Sequence, residues 1–233
     1  MKNYKDIKQG SLEWFEIKWG KIGGTLSKGL FVDSNTLLLD IVSQQIEEFE
    51  PSESFENEHM QRGKEMEPFA LEYISKYTGI DFQTTGWLEL ENTILGLSPD
   101  GLSECEKFAC EIKCLSRKEH TAILINNEIP KDKIFQLIHY FTVNPKLVEL
   151  WFISFRPESI KPFIAEITRN TLFDIGWKKK FEVEVIGAKG LPIKPRIETT
   201  SDYRTVDEWS KLAIELTKDL EKKARELINN LNF

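Results

Sequence analysis

The chain has 233 residues, of which 40% are hydrophobic and 30% are charged, so it can bury one sizeable core. Its net charge of −7 disfavours a nonspecific binder of polyanions, because such proteins usually carry a basic surplus. No stretch approaches the roughly 18 consecutive apolar residues of a membrane span, and the N-terminal MKNYKDIKQG lacks a secretory apolar core. We therefore expect a cytoplasmic protein with a single domain over residues 1–233, in which any contact with nucleic acid is local.

The N-terminal third of the sequence predicts three helices. SLEWFEIKWG starts with Ser11 and SNTLLLDIVSQQIEEF starts with Ser34, and both serines are suited to cap a helix N-terminus. ESFENEHM follows as an acidic connector. The third helix, QRGKEMEPFALEYISKYTG, contains Gly63 and Pro68, which predict a kink or a break near its start.

The rest of the chain alternates strands and helices. GWLELEN and TILGLS predict two antiparallel strands joined at Glu91 and Asn92, and FACEIKCL predicts a third strand. Helices are predicted at SRKEHTAILI and PKDKIFQLIHYFTV, and further strands at LVELWFISF and PFIAEIT. GAKGLPIKPRIETTSDY predicts a long loop, and TVDEWSKLAIELTKDLEKKARELINN a helix whose Thr205 and Glu208 form a capping box. This order predicts an α/β (α+β) fold with a central mixed β-sheet flanked by helices, a core at about 9–170, and a C-terminal loop and helix at 171–233.

The segment FACEIKCL places two charges in an otherwise apolar strand. Glu111 and Lys113 project from one face, whereas Ile112 and the flanking cysteines project from the other. Burying such charges is costly unless they pair or bind a metal. The preceding turn, SPDG, brings Asp100 nearby, and two carboxylates suit Mg²⁺, which leaves the rest of its shell to water and phosphate. We therefore expect Asp100 and Glu111 to hold Mg²⁺, and Lys113 to position the attacking water.

An ordinary edge-strand ion pair is the alternative explanation of Glu111 and Lys113. The pattern of an acid, any residue and a lysine is frequent in a chain this rich in charge. It also occurs at Asp6 and Lys8, Glu16 and Lys18, and Glu221 and Lys223. Those three examples lie in the N-terminal segment or in helical sequence, and none follows an acid-bearing turn. Spacing and context alone leave the ion pair and the metal site both open.

Three further features suggest sites of other kinds. The three cysteines and His120 could be combined into a zinc site, but no paired Cys-x-x-Cys hairpin is present. We therefore interpret the cysteines as reduced, small buried hydrophobes. The basic residues of WKKKF and of the predicted loop are candidate phosphate contacts. Trp14 and Trp19 are expected in the core rather than at a base-stacking surface.

The spacing of the charged residues resembles a known nuclease signature. Asp100, ten intervening residues and then Glu111-x-Lys113 match the pattern of the PD-(D/E)XK nuclease superfamily, whose opening letters are supplied by Pro99 and Asp100. The ordered segments GSLEWFEIKWGKIGGT, RGKEMEPFALEYISKYTG, GLSPDGL and EIKC resemble the phage lambda exonuclease group of viral-type recombination exonucleases. This resemblance covers about residues 9–156 and implies a PD-(D/E)XK restriction-endonuclease-like core.

The resemblance implies roles for the residues around this signature. It assigns Asp100, Glu111 and Glu67 to the catalytic metal site, where the main-chain carbonyl of Ile112 can join them, and it makes Lys113 the catalytic lysine. Glu67 also shares a helical face with apolar residues, an unusual place for a carboxylate without a partner. Mg²⁺ is the expected ion, and Mn²⁺ is the alternative.

Other positions correspond to residues that hold a 5′ phosphate in such enzymes. Where the family has an arginine and a hydroxyl residue, this chain has Lys18 and Thr25. Lysine cannot make the two-pronged contact of arginine, so the preference for a 5′ phosphate is left open. A pair of glutamines is usual on a later helix, and here Gln136 occupies the first place and Ile138 the second.

The function implied by the resemblance is a Mg²⁺-dependent 5′-to-3′ exonuclease that degrades one strand from the ends of double-stranded DNA in phage-type recombination. It further implies a ring-like homotrimer, a single-strand annealing protein as partner, and a bacterial or phage-infected host cell as the setting. Two alternatives remain. One is a structure-specific or restriction-type endonuclease of the same fold, and the other is a catalytically silent DNA-binding module.

Overall fold

The computed structural model describes residues 1–51, 58–180 and 197–231. The helices in this part of the chain are α1 Leu12–Ile17, α2 Lys28–Phe31, α3 Asn35–Ile46, α4 Glu58–Thr78, α5 Arg117–Asn126, α6 Lys131–Val143 and α7 Val206–Asn230. The strands are β1 Lys2–Tyr4, β2 Phe82–Gln83, β3 Trp87–Glu89, β4 Gly96–Leu97, β5 Gly101–Ser103, β6 Phe108–Lys113, β7 Glu149–Ser154, β8 Phe163–Thr168, β9 Leu172–Asp174, β10 Trp177–Lys180, β11 Ile197–Thr200 and β12 Tyr203–Thr205. None of the described helices has the length and apolar character needed to cross a membrane.

A five-stranded mixed sheet forms the centre of the fold. Its strand order is β2-β5-β6-β7-β8, and β6 and β7 are parallel while the other neighbours are antiparallel. Glu111 lies opposite Phe152 of β7, and Lys113 lies opposite Ser154. Because β6 lies between β5 and β7, the strand with the two charges is not an edge strand. The predicted α/β fold, with a central mixed sheet flanked by helices, is confirmed.

A smaller three-stranded sheet, in the order β1-β3-β4, leads into the central sheet. The predicted hairpin of β3 and β4 is confirmed, and Asn92 in its turn has the left-handed φ of 61°. The chain leaves the small sheet at Leu97 and enters the central sheet at Gly101, so the turn SPDG joins the two. Glycine is needed at the far end of this turn because a Cβ at position 101 would press into Cys110 and Leu71.

Helices cover the two faces of the central sheet unequally. On one face α6 packs against β7 and against β4 of the small sheet, and α7 packs outside α6 together with α2 and α3. This larger core includes Leu137, Phe141 and Trp209, which are at most 1% exposed. On the opposite face α4 packs against β6 through Ala70 and Ile74. Helix caps follow the sequence: Ser11 caps α1, Ser34 caps α3, and Thr205 and Glu208 form the capping box of α7.

Hydrogen bonds from Arg169 and His139 fix the position of the C-terminal half of α6. The Arg169 guanidinium donates to the carbonyl oxygens of Phe141 and Asn144 at the C-terminal end of the helix. His139 Nε2 donates to the carbonyl of Gly96 in β4 at 2.8 Å, and burial lowers the His139 pKa to about 4, so the imidazole is neutral. The His139 bond ties α6 to the strand that immediately precedes the turn SPDG, and the Arg169 bonds tie the end of α6 to the residue that follows β8.

The structure corrects two sequence predictions. First, a break at Gly63 or Pro68 is wrong, because α4 runs through both residues. Pro68 is exposed, so its ring projects toward solvent and does not disturb the buried face of the helix. Second, the end of the predicted loop forms β11 and β12, because the β-branched residues of IETT pair with β10. The rest of that loop, with Lys189, Lys194 and Arg196, and residues 53–57 of the acidic connector lie outside the described residues.

Candidate active site

Asp100 is fixed at the junction of the two sheets. Its Oδ2 accepts a hydrogen bond of 2.6 Å from the backbone N–H of Ile112 on β6. Its own backbone N–H donates to the hydroxyl oxygen of Tyr140 on α6 at 3.3 Å. The carboxylate of the turn therefore lies against the strand that carries Glu111 and Lys113.

Glu111 and Lys113 form an ion pair on one face of β6. The Glu111 side chain is 1% exposed, whereas that of Lys113 is 23% exposed at the surface of a cleft. Burial acts to lower the pKa of Lys113, but the carboxylates of Glu111 and Asp100 outweigh it and raise that pKa above its ordinary value. Lys113 is therefore a fixed cation in this arrangement rather than a proton acceptor.

Tyr140 connects the two acids and was not predicted from the sequence. Its hydroxyl donates to Glu111 Oε2 at 2.6 Å and accepts from the backbone N–H of Asp100. The carbonyl of Cys110 lies 3.2 Å from the same hydroxyl. One buried side chain of α6 thus aligns the turn and the strand. A signal for it exists in the sequence, because Tyr140 lies one helical turn after Gln136 and so shares its face.

Glu67 of α4 approaches the same group of charges from the opposite face. Burial raises the pKa of Glu67, Glu111 raises it further, and Lys113 and Lys64 act in the other direction. Burial likewise raises the pKa of Asp100 well above its usual range, and the charge of Glu111 adds to this effect. The three carboxylates therefore repel one another, and the ammonium groups of Lys113 and Lys64 offset their charge only in part.

The chemistry of these donors fits a hard divalent cation. Carboxylate oxygens are its preferred ligands, and Glu111 Oε1 is a buried oxygen that accepts no hydrogen bond of standard geometry, although Lys113 lies against it. Within residues 1–51, 58–180 and 197–231, no three acidic, histidine or cysteine side chains lie close enough together to share one ion. In this conformation Lys113, rather than three converged acids, neutralises Glu111.

A cleft of about 660 Å³ opens beside the acids. Its wall brings Asp100 and Lys113 together with Lys18, Thr25 and Gln136, the three residues predicted to contact DNA. Gln136 reaches the cleft from α6, and its side chain packs against Gly24, where a Cβ would come within 3.0 Å of it. Ile138, at the place of the second glutamine, is 0% exposed and belongs to the core instead.

Lys18 is a half-buried cation without a carboxylate partner among the described residues. Its Nζ lies 3.3 Å from the centre of the Trp14 ring and 5.7 Å from that of Trp87. Burial lowers the pKa of Lys18 to about 8, and no carboxylate among the described residues restores it. Such a cation gains by binding an anion, because the anion supplies the compensating charge that the protein does not.

Trp14 and Trp19 line the cleft, which corrects the prediction that both belong to the core. Their indole N–H groups explain the difference, because each has a polar partner near the surface. Trp14 Nε1 donates to Ser98 Oγ at 2.7 Å, and Trp19 Nε1 donates to the carbonyl of Glu47 at 3.2 Å. The prediction for the cysteines is right for Cys110, which is buried, and wrong for Cys105, which is exposed.

The sequence and the fold agree with one family. Residues 13–146 match the YqaJ-like viral recombinase domain. This match covers more than half of the chain, which therefore belongs to the YqaJ-like viral recombinase domain family. The resemblance to viral-type recombination exonucleases is confirmed at this level. A comparison with curated proteins found no match.

Solved exonuclease structures share the fold. The alkaline exonuclease LHK-Exo from Laribacter hongkongensis is 18% identical with a TM-score of 0.66, and the match covers 95% of this chain and 98% of that one. LHK-Exo in complex with dAMP is matched over the same shares at 17% identity and a TM-score of 0.66. A phage related exonuclease from Haemophilus somnus 129PT is 13% identical, with a TM-score of 0.54 and coverage of 91% and 96%. At these identities the likeness shows a common fold.

Proposed function

We propose that the protein is a metal-dependent deoxyribonuclease, and specifically a 5′-to-3′ exonuclease that degrades one strand from the ends of double-stranded DNA. The observation that carries this proposal is the cleft that joins Asp100 and Lys113 to Lys18, a cation that no carboxylate of the described residues compensates. The family of the chain and the exonuclease structures with the same fold support it.

Asp100 and Glu111 would hold the divalent ion, with Glu67 and the main-chain carbonyl of Ile112 as further ligands. Mg²⁺ is the proposed ion and Mn²⁺ the alternative, since both prefer oxygen donors. When bound, such an ion polarises a phosphoryl oxygen and lowers the pKa of its water ligand. The repulsion among the carboxylates favours binding, because a dication lets all of them ionise together.

The other side chains of the site position the water and the DNA and stabilise the charge that develops in the reaction. The fixed charge of Lys113 orients the attacking water and stabilises the negative charge that develops on the phosphate. Tyr140 holds the Glu111 carboxylate beside Asp100, because its hydroxyl is hydrogen-bonded to both residues. Lys18, Thr25 and Gln136 would bind the 5′ phosphate at the end of the strand. The next phosphate along the strand is then presented to the acids, and the product is a mononucleotide.

The sequence resemblance extends the proposal to the assembly and its setting. It includes a homotrimer that encloses the duplex, a single-strand annealing protein as partner, and one nuclease domain over residues 1–233. The setting would be the cytoplasm of a bacterial or phage-infected cell. The net charge of −7 suits an enzyme that moves along DNA, because contacts confined to the cleft stay weak and reversible.

The test is digestion of three DNA substrates with Mg²⁺, with Mn²⁺ and with a chelator. The substrates are a linear duplex with 5′-phosphate ends, the same duplex with 5′-hydroxyl ends, and a covalently closed circle. We expect mononucleotides from both linear duplexes, faster release from the phosphorylated ends, an intact circle, and no digestion with the chelator. Asp100→Asn should abolish digestion, whereas Asp81→Asn, at an exposed aspartate outside the cleft, should not.

Other outcomes would replace the proposal. Cleavage of the closed circle would identify a structure-specific or restriction-type endonuclease. Binding of DNA and metal without any hydrolysis would identify a catalytically silent module. Release from 3′ ends alone would reverse the polarity and remove the assignment of Lys18, Thr25 and Gln136.

A further inference from the structure

One side chain, Trp14, contacts both functional parts of the cleft. Its ring face lies under the ammonium of Lys18, with Nζ 3.3 Å from the ring centre. At its ring edge, Nε1 donates to Ser98 Oγ at 2.7 Å and to the carbonyl of Gly86 at 3.1 Å. The proposed phosphate-binding residue and the turn SPDG therefore contact one rigid ring, the first at its face and the second at its edge.

The hydrogen bonds beyond Trp14 lead directly to the acid of the turn. Ser98 Oγ donates its own proton to the carbonyl of Gly86 at 2.8 Å, so the indole N–H, the hydroxyl and the carbonyl form one closed group. Ser98 precedes Asp100 by two residues, and the intervening Pro99 has a restricted φ. Fewer backbone rotations are therefore available to absorb a displacement of Ser98 before it reaches Asp100.

Gln9 provides a natural comparison, because it holds the same turn without touching Lys18. Its Nε2 donates to the carbonyl of Thr85 at 2.8 Å and to that of Pro99 at 3.2 Å. Trp14 and Gln9 thus anchor adjacent residues of one turn from the same N-terminal segment. Trp14 differs from Gln9 in that its ring also contacts the ammonium group of Lys18.

We propose that Trp14 is a positioning residue that makes turnover, and not only binding, respond to the 5′ phosphate of the DNA end. A phosphate at Lys18 draws the ammonium away from the ring or presses it onto the ring. The ring then changes its bond to Ser98, and through Ser98 the placement of Asp100. This inference rests on the proposed exonuclease function and adds a route from end recognition to the chemical step.

The proposal makes separate predictions for the strength of DNA binding and for the maximal rate of the first cleavage. In the wild-type enzyme the 5′ phosphate should lower the enzyme concentration for half-maximal rate and also raise the maximal rate of the first cleavage. In Trp14→Phe the ring face under Lys18 remains while the N–H is lost, so the phosphate should still improve binding but no longer raise the maximal rate. We expect the ratio of maximal rates, phosphate over hydroxyl, to fall about fivefold toward one, the effect of one neutral hydrogen bond.

The measurement is single-turnover release of the first nucleotide, because every later end carries a phosphate whatever the starting end. A fluorescent base at the 5′ terminus reports that release, and the enzyme concentration is varied over a fixed amount of duplex. Ser98→Ala removes the acceptor instead of the donor and should behave as Trp14→Phe does. Gln9→Ala is the matched control: it should slow both ends equally and leave the ratio at the wild-type value.

The possible results distinguish failure of the role proposed for Trp14 from failure of the proposed exonuclease function. If Trp14→Phe and Ser98→Ala slow both ends equally, as a merely structural role requires, the route through Trp14 is overturned. A wild-type enzyme whose maximal rate is the same for both ends overturns it as well. Loss of the ratio in Gln9→Ala would show that any disturbance of the turn suffices, and would also remove Trp14 from this role. Absence of hydrolysis by the wild-type enzyme contradicts the proposed function itself and is visible before any variant is made.

Discussion

The side chains at the two ends of the cleft are held in place by different kinds of contact. At the catalytic corner, defined here as Asp100, Glu111, Lys113 and Tyr140, hydrogen bonds and one ion pair among β6, α6 and the turn fix the orientation of the side chains. At the phosphate corner, defined as Lys18, Thr25 and Gln136, the cation rests on an aromatic ring and has no carboxylate partner among the described residues. The side chains of the first corner are oriented by the fold in advance, whereas Lys18 in the second corner has only an aromatic ring to hold it until an anion binds.

This difference separates two tasks of a nuclease. Groups that stabilise a transition state must be in place before the reaction, so their orientation is fixed by buried hydrogen bonds. A group that recognises the end of a strand must release it after each cycle, so a weaker and incompletely compensated contact is suitable. Substitutions in the first corner should therefore affect all DNA ends alike, and substitutions in the second should affect only the discrimination between ends.

The largest effect is expected from Lys113→Met, which keeps the aliphatic stem but removes the charge beside Glu111. The maximal rate should fall by about 10³-fold or more on both kinds of end, because an electrostatic contact to the reacting phosphate is lost. Single-turnover hydrolysis of the linear duplexes measures this. Lys146→Met, at an exposed lysine paired with Glu106, is the control and should keep full activity. A Lys113→Met enzyme of near wild-type rate would contradict the catalytic corner as described.

Tyr140→Phe tests whether the pre-ordering of that corner matters. The variant leaves Glu111 Oε2 and the backbone N–H of Asp100 without their shared partner. We expect a loss of about 10–100-fold in rate, as is usual when the partner of a metal-binding residue is removed, and the same loss for both ends. The exposed Tyr203→Phe serves as the matched control. A change in the preference for phosphorylated ends, without a change in rate, would contradict the assignment of Tyr140 to the catalytic corner.

Lys18 should make the preference for 5′-phosphate ends depend on pH, with an effect smaller than those of Lys113→Met and Tyr140→Phe. Because burial lowers the Lys18 pKa to about 8, the ammonium loses its proton as the pH rises through 8. The preference for 5′-phosphate over 5′-hydroxyl ends, measured as a ratio of kcat/KM values, should therefore decline by about tenfold from pH 7 to pH 9.5. Lys18→Arg should keep the preference constant over this range, since guanidinium stays charged. Lys21→Arg, in the same cleft but paired with Glu89, should leave the wild-type pH profile unchanged.

The smallest effect is a gain in stability in Asp100→Asn. A carboxyl whose pKa is higher in the folded than in the unfolded chain binds a proton on folding, so it destabilises the folded state increasingly as the pH rises. The effect begins near the unfolded pKa of about 4 and grows through the raised value. At pH 8 without divalent ions, the variant should gain about 1 kcal/mol, or about 2–4 °C in Tm. The gain should shrink toward pH 4 and on addition of Mg²⁺, and a variant less stable than wild type at pH 8 would refute this account.

Local sequence signals were sufficient for most of the fold. Caps such as Ser34 and Thr205, and the alternation of apolar and polar residues, depend on neighbours within a few positions. The pairing that brings Asp100 beside Glu111 is also local, because one hairpin-like connection joins β5 to β6. The position of IETT was mispredicted because Gly and Pro residues dominate the segment before it, while its strand partner lies earlier in the chain.

The missing part of the site depends on contacts between distant segments. Tyr140 lies 29 residues from Glu111 and 40 from Asp100, and α6 is buried on nearly all sides, so periodicity cannot show which face meets the acids. Trp14 reaches Ser98 across 84 residues, and a tryptophan on a short helix is more often part of the core than of a binding surface. Side chains that join two distant segments through one hydrogen bond leave no periodic trace in the sequence.

The packing of α7 on α6 has a consequence for the time at which activity arises during synthesis. Tyr140 and Gln136 lie on a helix whose outer side is covered by Trp209 and its neighbours, which the ribosome adds only after the whole central sheet. A nascent chain that ends before Val206 contains the acids and the lysine, but the helix that aligns them lacks its cover. We therefore expect the amides of α6 in such a chain to exchange rapidly with solvent, and DNA near the ribosome to be spared until synthesis is nearly complete.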